Sequence, residues 1–178
     1  MNVRRGRLED CEAIGRVHVE AWQAAYRGLM PDEYLDELDP AARAERWRSA
    51  LAGDLGDGGC RLQGQEALLL VAENDTGAPE GISVVGPDRG GDDPSTGELW
   101  MINLLRQSWG SGVGAALLAA ATEELRGSGY RQAVLWVLVG NGRARRFYER
   151  EGWEPDGARK GDSVRGFDVE EMRYRRHL

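Results

Sequence analysis

Three glycines stand at every second position where a helix is predicted to begin. The stretch "RQSWGSGVGAALLAAATEEL" spans residues 106–125 and places Gly110, Gly112 and Gly114 before an Ala/Leu helix pattern. The first amide groups of a helix lack intrahelical partners, and the helix dipole adds partial positive charge there. Glycines let a phosphate approach this backbone without Cβ atoms in the way. The spacing therefore predicts either a pyrophosphate cradle or a tightly packed strand-to-helix turn.

Three known phosphate-binding patterns can be compared with this stretch. A P-loop needs a Lys-Ser/Thr pair at the helix start, whereas Ala115 and Ala116 follow Gly114. A dinucleotide fingerprint needs G-x-G-x-x-G and an acidic residue about 20 positions later, but "QAVLWVLV" ends without an acid. An S-adenosylmethionine-dependent methyltransferase accommodates G-x-G-x-G yet also needs an acid for the ribose hydroxyls. The methyltransferase therefore stays only as a disfavoured alternative.

The bulk composition is that of a globular chain and narrows the range of partners. The 178 residues are 41% hydrophobic and 30% charged, with a net charge of -7, which suits a single domain spanning 1–178. An acidic chain argues against nucleic acid as a partner. Cys11 and Cys60 have neither metal-site nor disulfide-framework spacing, so no metal is expected. No apolar run reaches membrane-spanning length, and we expect a cytoplasmic protein without a membrane partner.

Hydrophobic periodicity predicts strands that precede, interleave with and follow helices. This order favours an α/β (α+β) fold with one mixed sheet. The predicted elements are a strand in "MNVRR", a helix ending near Gly28, two short helices split at Pro40, a buried strand at Ala67–Ala72 with "GISVVG" as its hairpin partner, a strand in "ELWMINLL", a helix over 112–126, a strand in "QAVLWVLV", a short helix in "NGRARRFYEREG", and a closing hairpin in the tail.

Two separate motifs resemble the GNAT superfamily of N-acetyltransferases. "ELWMINLLRQSWGSGVGAALL" resembles the strand, pyrophosphate loop and helix of that superfamily. "LWVLVGNGRARRFYEREGWEPDG" is similar to its next strand and helix, with an Asn-x-x-Ala-x-x-Phe-Tyr pattern. "VHVEAWQAAYRGLMPDEYLDEL" and "VEEMRYRR" are similar to its first helices and final strand. The resemblance covers nearly the whole chain and implies a mostly antiparallel sheet whose two parallel central strands splay apart.

The glycine loop departs from the superfamily pattern at its first position. Aligned on the helix start, the loop is Trp109-Gly110-Ser111-Gly112-Val113-Gly114, with Trp in place of the usual Gln or Arg. A register beginning at Gln107 satisfies the letters but starts the helix two residues early, so the first register is preferred. Arg106 stands where the superfamily usually has proline. The departure concerns a side-chain contact from position 109 and leaves the backbone cradle intact.

The resemblance implies acetyl-coenzyme A as co-substrate and assigns a role to each matching residue. The pantetheine arm would pair near Leu104 and Leu105, with the Leu104 amide polarising the acetyl carbonyl. Tyr148 would protonate the leaving thiolate, and Glu98 would act through water as the base for the amine. The cofactor-binding residues implied in this way are Leu104, Leu105, Trp109, Gly110, Ser111, Gly112, Val113, Gly114, Asn141 and Tyr148.

Each of these roles has a structural alternative. Tyr148 could be a packing residue, although its neighbour Phe147 is expected to be the core ring of this helix. Asn141 could be a plain helix N-cap, and Glu98 a solvated strand-end carboxylate. The arginines near the loop are expected either to meet the cofactor phosphates or to form an exposed helix face. They are Arg106, Arg143, Arg145 and Arg146.

The acceptor is expected to be a small amine or a peptide amino group. Trp22 and Tyr26 lie one helical turn apart and would wall the amine pocket, while His18 is expected to be a packing residue with satisfied hydrogen bonds. The pocket should come from residues 20–60 and the 157–168 loop, where acids weakly favour a cationic amine: Glu20, Asp32, Glu33 and Asp162. Homodimers are frequent in the superfamily. A non-catalytic acyl-CoA-binding domain of the same fold is the alternative from another functional class.

Overall fold

The computed structural model describes residues 1–53, 58–62, 64–91, 93–164 and 166–178, without the side chains of residues 162 and 164. Short 3-10 helices lie at Leu8–Asp10 and Arg106–Ser108. The α-helices are α1 (Cys11–Tyr26), α2 (Asp32–Asp36), α3 (Pro40–Leu51), α4 (Val113–Gly127) and α5 (Gly142–Arg150). The strands are β1 (Asn2–Arg5), β2 (Gly59–Leu62), β3 (Gln65–Glu73), β4 (Pro79–Pro87), β5 (Thr96–Leu104), β6 (Gln132–Leu138), β7 (Glu154–Val164) and β8 (Phe167–His177).

The eight strands of the described residues form one sheet in the order β1-β3-β4-β5-β6-β8-β7, with β2 paired to the side of β3. The β5–β6 pair is parallel and the other strand pairs are antiparallel. The expected mixed, mostly antiparallel sheet is therefore confirmed. Among the described residues, no helix is long and apolar enough to cross a membrane.

Helices cover the two faces of this sheet with two hydrophobic clusters. On one face, α4 packs Leu117, Leu118 and Leu125 against residues such as Leu135 and Tyr174 of the strands. On the other face, α1 packs on β4 and β5 and α3 packs on α1 and β2. Their shared cluster contains Ile14, Val17, Trp47, Val71 and Ile82. The alternation of β3, with Leu70 on the first face and Leu69 and Val71 on the second, is what a strand buried on both sides requires.

Two features of the chain differ from the sequence-based expectation. The segment with the buried run Ala67–Ala72 contains two strands, because the chain turns at Gly64, whose φ is 81°, and β2 pairs back on β3. The 157–168 segment is not a long loop, because β7 runs to Val164 and β8 starts at Phe167. Both are hairpins in which a glycine with positive φ supplies the turn.

The central parallel pair ends halfway along its strands. β5 and β6 pair only from Thr96–Gln132 to Leu99–Leu135, although β5 continues to Leu104 and β6 to Leu138. The register between β4 and β5 shifts at the same level, so that Trp100 is an extra residue in β5. A bulge of this kind bends its strand and increases the local twist. We call the resulting opening between the ends of β5 and β6 the wedge.

Candidate active site

A backbone amide of β5 turns into the wedge. The Leu105 N–H donates to the Glu80 carbonyl at 2.9 Å, so Glu80 and Leu105 form a hydrogen-bonded pair of the β4–β5 ladder. Because such pairs alternate along an antiparallel ladder, the N–H of Leu104 points away from β4 and toward β6. The expected backbone role of Leu104 is compatible with this direction. The Leu105 amide is already used by β4, so it is not one of the unpaired backbone groups available near Leu104 and Leu105.

The glycine loop at the end of the wedge is open. Gly110 and Gly112 have φ values of 77° and 92°, and a Cβ built on either would have no heavy atom within 4 Å. Close packing therefore does not explain these two glycines, whereas a left-handed backbone beside free space does. The helix α4 begins at Val113 with Gly112 as its N-cap, which agrees with the preferred loop register. The Ser111 hydroxyl donates to the Ser108 carbonyl at 2.7 Å and ties the loop to the preceding turn.

Trp109 holds an arginine that comes from a different helix. The guanidinium carbon of Arg143, at the start of α5, lies 3.2 Å from the centroid of the Trp109 ring. The Trp109 indole N–H donates to the Leu104 carbonyl at 3.3 Å, which fixes the ring between the wedge and the loop. Burial lowers the pKa of Arg143, and the nearby charge of Arg106 adds to this effect. Among the described residues neither arginine has an ion-pair partner, so two positive charges stand beside the open loop.

Tyr148 is enclosed by three aromatic rings. Its side chain is 7% exposed, and its ring contacts Phe147, Trp153 and Tyr174. Phe147 is the more accessible of the two neighbouring rings, which reverses the burial that the sequence predicted. Burial raises the pKa of Tyr148, and the nearby Tyr26 raises it further. Tyr148 is therefore protonated at neutral pH and within electrostatic reach of Tyr26 on α1.

Asn141 has a local structural task. Its side-chain oxygen accepts a hydrogen bond from the Ala144 amide at 3.1 Å, which caps α5. The capping contact positions the helix that carries Arg143 and Tyr148. Nothing else about Asn141 is needed to explain its place at this turn.

Glu98 lies away from the wedge and is already paired. Its side chain is 1% exposed and belongs to the paired part of β5, opposite Val134. Its carboxylate accepts bonds from the Arg89 guanidinium at 2.5 Å and from the Arg89 amide at 2.9 Å. This placement argues against Glu98 as a base. The sequence did not reveal the contact because Arg89 belongs to an irregular loop without periodicity.

The acceptor-side candidates lie on one face of α1. Trp22 and Tyr26 meet edge to face with their ring centroids 5.1 Å apart, and both pack in a cluster that includes Leu138 at the end of β6. His18 continues this face one turn earlier, 5.5 Å from the Trp22 ring. The structure thus brings Trp22 and Tyr26 to the side of the wedge opposite α5.

Comparisons with known proteins agree with this architecture. The sequence profile of the Acetyltransferase (GNAT) family matches residues 17–153, and the chain belongs to this family. It is an N-acetyltransferase by its family and by its relatives.

Two curated relatives carry acetyltransferase names. An uncharacterized N-acetyltransferase, YuaI, of Bacillus subtilis (strain 168) is 31% identical over 141 residues, which cover 79% of this chain and 73% of the relative. A mycothiol acetyltransferase of Kocuria rhizophila is 34% identical over 88 residues, but these cover 49% of this chain and 29% of that protein.

Solved structures share the fold at low sequence identity. The PaiA N-acetyltransferase of Thermoplasma acidophilum, in complex with coenzyme A, has a TM-score of 0.73 at 18% identity, covering 99% of this chain and 98% of that one. The structure of yncA from Salmonella typhimurium with its cofactor acetyl-CoA has a TM-score of 0.70 at 21% identity, covering 100% of this chain and 94% of that one.

Proposed function

We propose that this chain, acting as one domain over residues 1–178, transfers the acetyl group of acetyl-CoA to a primary amine by direct attack. The observation that carries the proposal is the wedge, where the parallel pair stops at Leu99–Leu135 and both strands continue apart. The open loop of Gly110 and Gly112 lies at the end of this wedge. The coenzyme complexes of the PaiA and yncA neighbours support the choice of donor.

The chain supplies three groups for holding the donor. The amides of the loop 109–114 and the start of α4 would bind the pyrophosphate, as the end of a helix dipole favours. Arg143 and Arg106 add positive charge beside the loop. The N–H of Leu104, turned into the wedge, would donate to the thioester carbonyl and stabilise the negative charge that develops there.

The transfer then needs one nucleophile and one proton donor. The neutral amine nitrogen forms a bond to the acetyl carbon, the carbon–sulfur bond breaks, and the electron pair leaves on sulfur. The hydroxyl of Tyr148 gives its proton to this thiolate, and the proton lost by the amine returns to the tyrosine through solvent. The raised pKa of Tyr148 keeps the proton available at neutral pH.

We propose further that the amine loses its proton to solvent without help from Glu98, which is paired with Arg89. The value of kcat/KM should then rise with pH toward the pKa of the acceptor amine. Because the pKa of Tyr148 lies above its ordinary value, no loss of activity from its ionisation is expected below about pH 10. A plateau that begins near pH 6–7 would instead indicate an enzymatic base.

The central test replaces Tyr148 by phenylalanine and measures release of free coenzyme A from acetyl-CoA with a panel of amines. We expect Y148F to keep its affinity for acetyl-CoA while kcat falls about 10- to 1,000-fold, since a positioned acid contributes on this scale. Tyr130→Phe is the matched control, because Tyr130 packs near Gly97 at the paired end of β5. Unchanged turnover in Y148F would refute the assigned acid. Tight acetyl-CoA binding without turnover of any amine would favour the non-catalytic alternative.

A further inference from the structure

A half-buried arginine without an acidic partner stands on the acceptor side. Arg43 of α3 lies 6.0 Å from the centroid of the Trp22 ring. Burial lowers the pKa of Arg43, and the nearby Arg46 adds to this effect. No carboxylate pairs with Arg43 within the part of the chain that the structure describes. Taking a guanidinium out of water costs free energy unless an anion compensates it.

A buried histidine beside it also lacks partners. His18 is 3% exposed, and neither of its ring nitrogens has a hydrogen-bond partner among the described residues. Its ring lies between Trp22, at 5.5 Å, and Trp47, at 5.9 Å. Burial lowers the pKa of His18 to about 3, with a further contribution from Arg43. The ring is therefore neutral and has one N–H to donate. The prediction that its hydrogen bonds are satisfied is wrong.

Two of the acids named above are paired with other arginines. Glu20 faces Arg16 at 3.7 Å, and Asp32 faces Arg27 at 3.5 Å. These two acids are thus paired with other residues, while Arg43 has no ion-pair partner among the described residues. The local balance around Trp22 therefore favours an anionic group.

The distance from Arg43 and His18 to Tyr148 determines how long an acceptor must be to reach both. His18, Trp22 and Tyr26 follow one another at one-turn intervals on α1, and Tyr26 lies within electrostatic reach of Tyr148. Eight residues of α-helix rise about 12 Å. Three extended peptide residues span about 10 Å. An acceptor of this length could place its amine at Tyr148 and its opposite end near His18.

We propose that Arg43 and His18 bind a carboxylate at the far end of the acceptor, whose class is therefore a short peptide or an amino acid of similar length. This inference rests on the proposed function. Arg43 would supply the positive charge and His18 a neutral N–H donor. The rings of Trp22 and Tyr26 would line the part of the acceptor between its carboxylate and its amine. Charge-assisted hydrogen bonds of this kind are stronger than neutral ones.

The test compares triglycine with triglycinamide, which share the attacking amine and differ in the terminal carboxylate. Release of coenzyme A gives kcat/KM for each peptide, and titration into the protein saturated with coenzyme A gives binding independently of turnover. We expect wild type to prefer triglycine about tenfold or more in both measurements. The preference should fall to near one in Arg43→Gln and decrease in His18→Gln. Arg46→Gln, an exposed change on the same helix, should retain it.

Equal constants for the two peptides in wild type would overturn the proposal, as would a full preference in Arg43→Gln. Affinity for acetyl-CoA reports whether each variant is folded, and His18→Gln serves as the second variant if Arg43→Gln does not fold. Failure of the proposed function is distinguishable, because it would abolish release of coenzyme A from every amine. The peptide titration would still decide whether the carboxylate is bound.

Discussion

Replacing Arg143 by glutamine tests whether the cation on Trp109 serves the phosphates of the donor. The variant removes a charge whose guanidinium carbon lies 3.2 Å from the Trp109 ring centroid and which no described carboxylate balances. A hydrogen bond to a charged group contributes about 1.5–3 kcal/mol, and the exposure of Arg143 reduces this to about 1–2 kcal/mol. The dissociation constant of acetyl-CoA should therefore rise about 5- to 30-fold.

The same substitution should have little effect on the stability of the protein without acetyl-CoA. An exposed cation–π contact stabilises by about 0.5–1 kcal/mol, and its loss is offset because Arg143 no longer faces Arg106. We thus expect the free energy of unfolding to stay within about 1 kcal/mol of wild type. Trp109→Phe should keep affinity within about twofold, since a ring face remains to hold the arginine. Trp109→Leu should weaken acetyl-CoA binding, because without the ring Arg143 is no longer held in place.

The assay is calorimetric titration of acetyl-CoA at two salt concentrations, since screening weakens contacts between exposed charges. Arg150→Gln makes the same change of charge at the opposite end of α5, where Arg150 lies against Phe147 and Glu151. Dephospho-coenzyme A, which lacks the ribose phosphate, shows which phosphate is involved. If Arg143→Gln and Arg150→Gln bind acetyl-CoA alike, the assigned role of Arg143 is wrong.

Three further predictions concern backbone and buried charge. Gly112→Ala should weaken acetyl-CoA binding at least about tenfold by placing a Cβ in the open loop at a φ of 92°, whereas Gly127→Ala at the other end of α4, where a Cβ would also have no heavy atom within 4 Å, should retain binding; equal losses in titration would contradict the cradle. Gly15→Ala should lower the free energy of unfolding by about 2 kcal/mol in denaturant melts, because its Cβ would meet the Pro40 carbonyl at 2.5 Å; a gain would show that helix propensity dominates. Glu98→Gln should destabilise by about 1–2 kcal/mol, because a neutral amide weakens the charge-assisted bonds that the Arg89 guanidinium and amide donate to the buried carboxylate, and loss of kcat at unchanged stability would instead restore its role as a base.

The order and type of the elements could be predicted because each depends on local periodicity. The helix after the glycines and the closing hairpin both follow from residue spacing within one segment. The separation of β5 and β6 was predicted from the resemblance alone. It depends on a register shift at Trp100 that no local sequence pattern indicates. Hairpin β2–β3 was missed because its turn has a single glycine, Gly64, as its signal.

The site was less predictable because its residues act through contacts between distant segments. Trp109 had no explanation until α5 placed Arg143 on its ring. Glu98 was assigned from its position in β5, without its partner Arg89. His18 was expected to be satisfied, since apolar helical spacing carries no information on hydrogen bonds. Motif positions therefore suggested candidates, while the partners of those residues came from the structure.

The extra residue at Trp100 has a consequence for how this chain tolerates mutation. The bulge depends on the presence of one additional residue in β5 and not on the identity of its side chain. Substitutions at Trp100 should therefore leave the wedge open. Deleting that residue would instead restore a regular β4–β5 ladder, because Trp100 and Met101 both pack in the cluster under α1 and the residues after them, such as Ile102, would keep their present faces. The same deletion would let β5 continue its pairing with β6. The cleft is thus robust to point mutation and fragile to insertions and deletions.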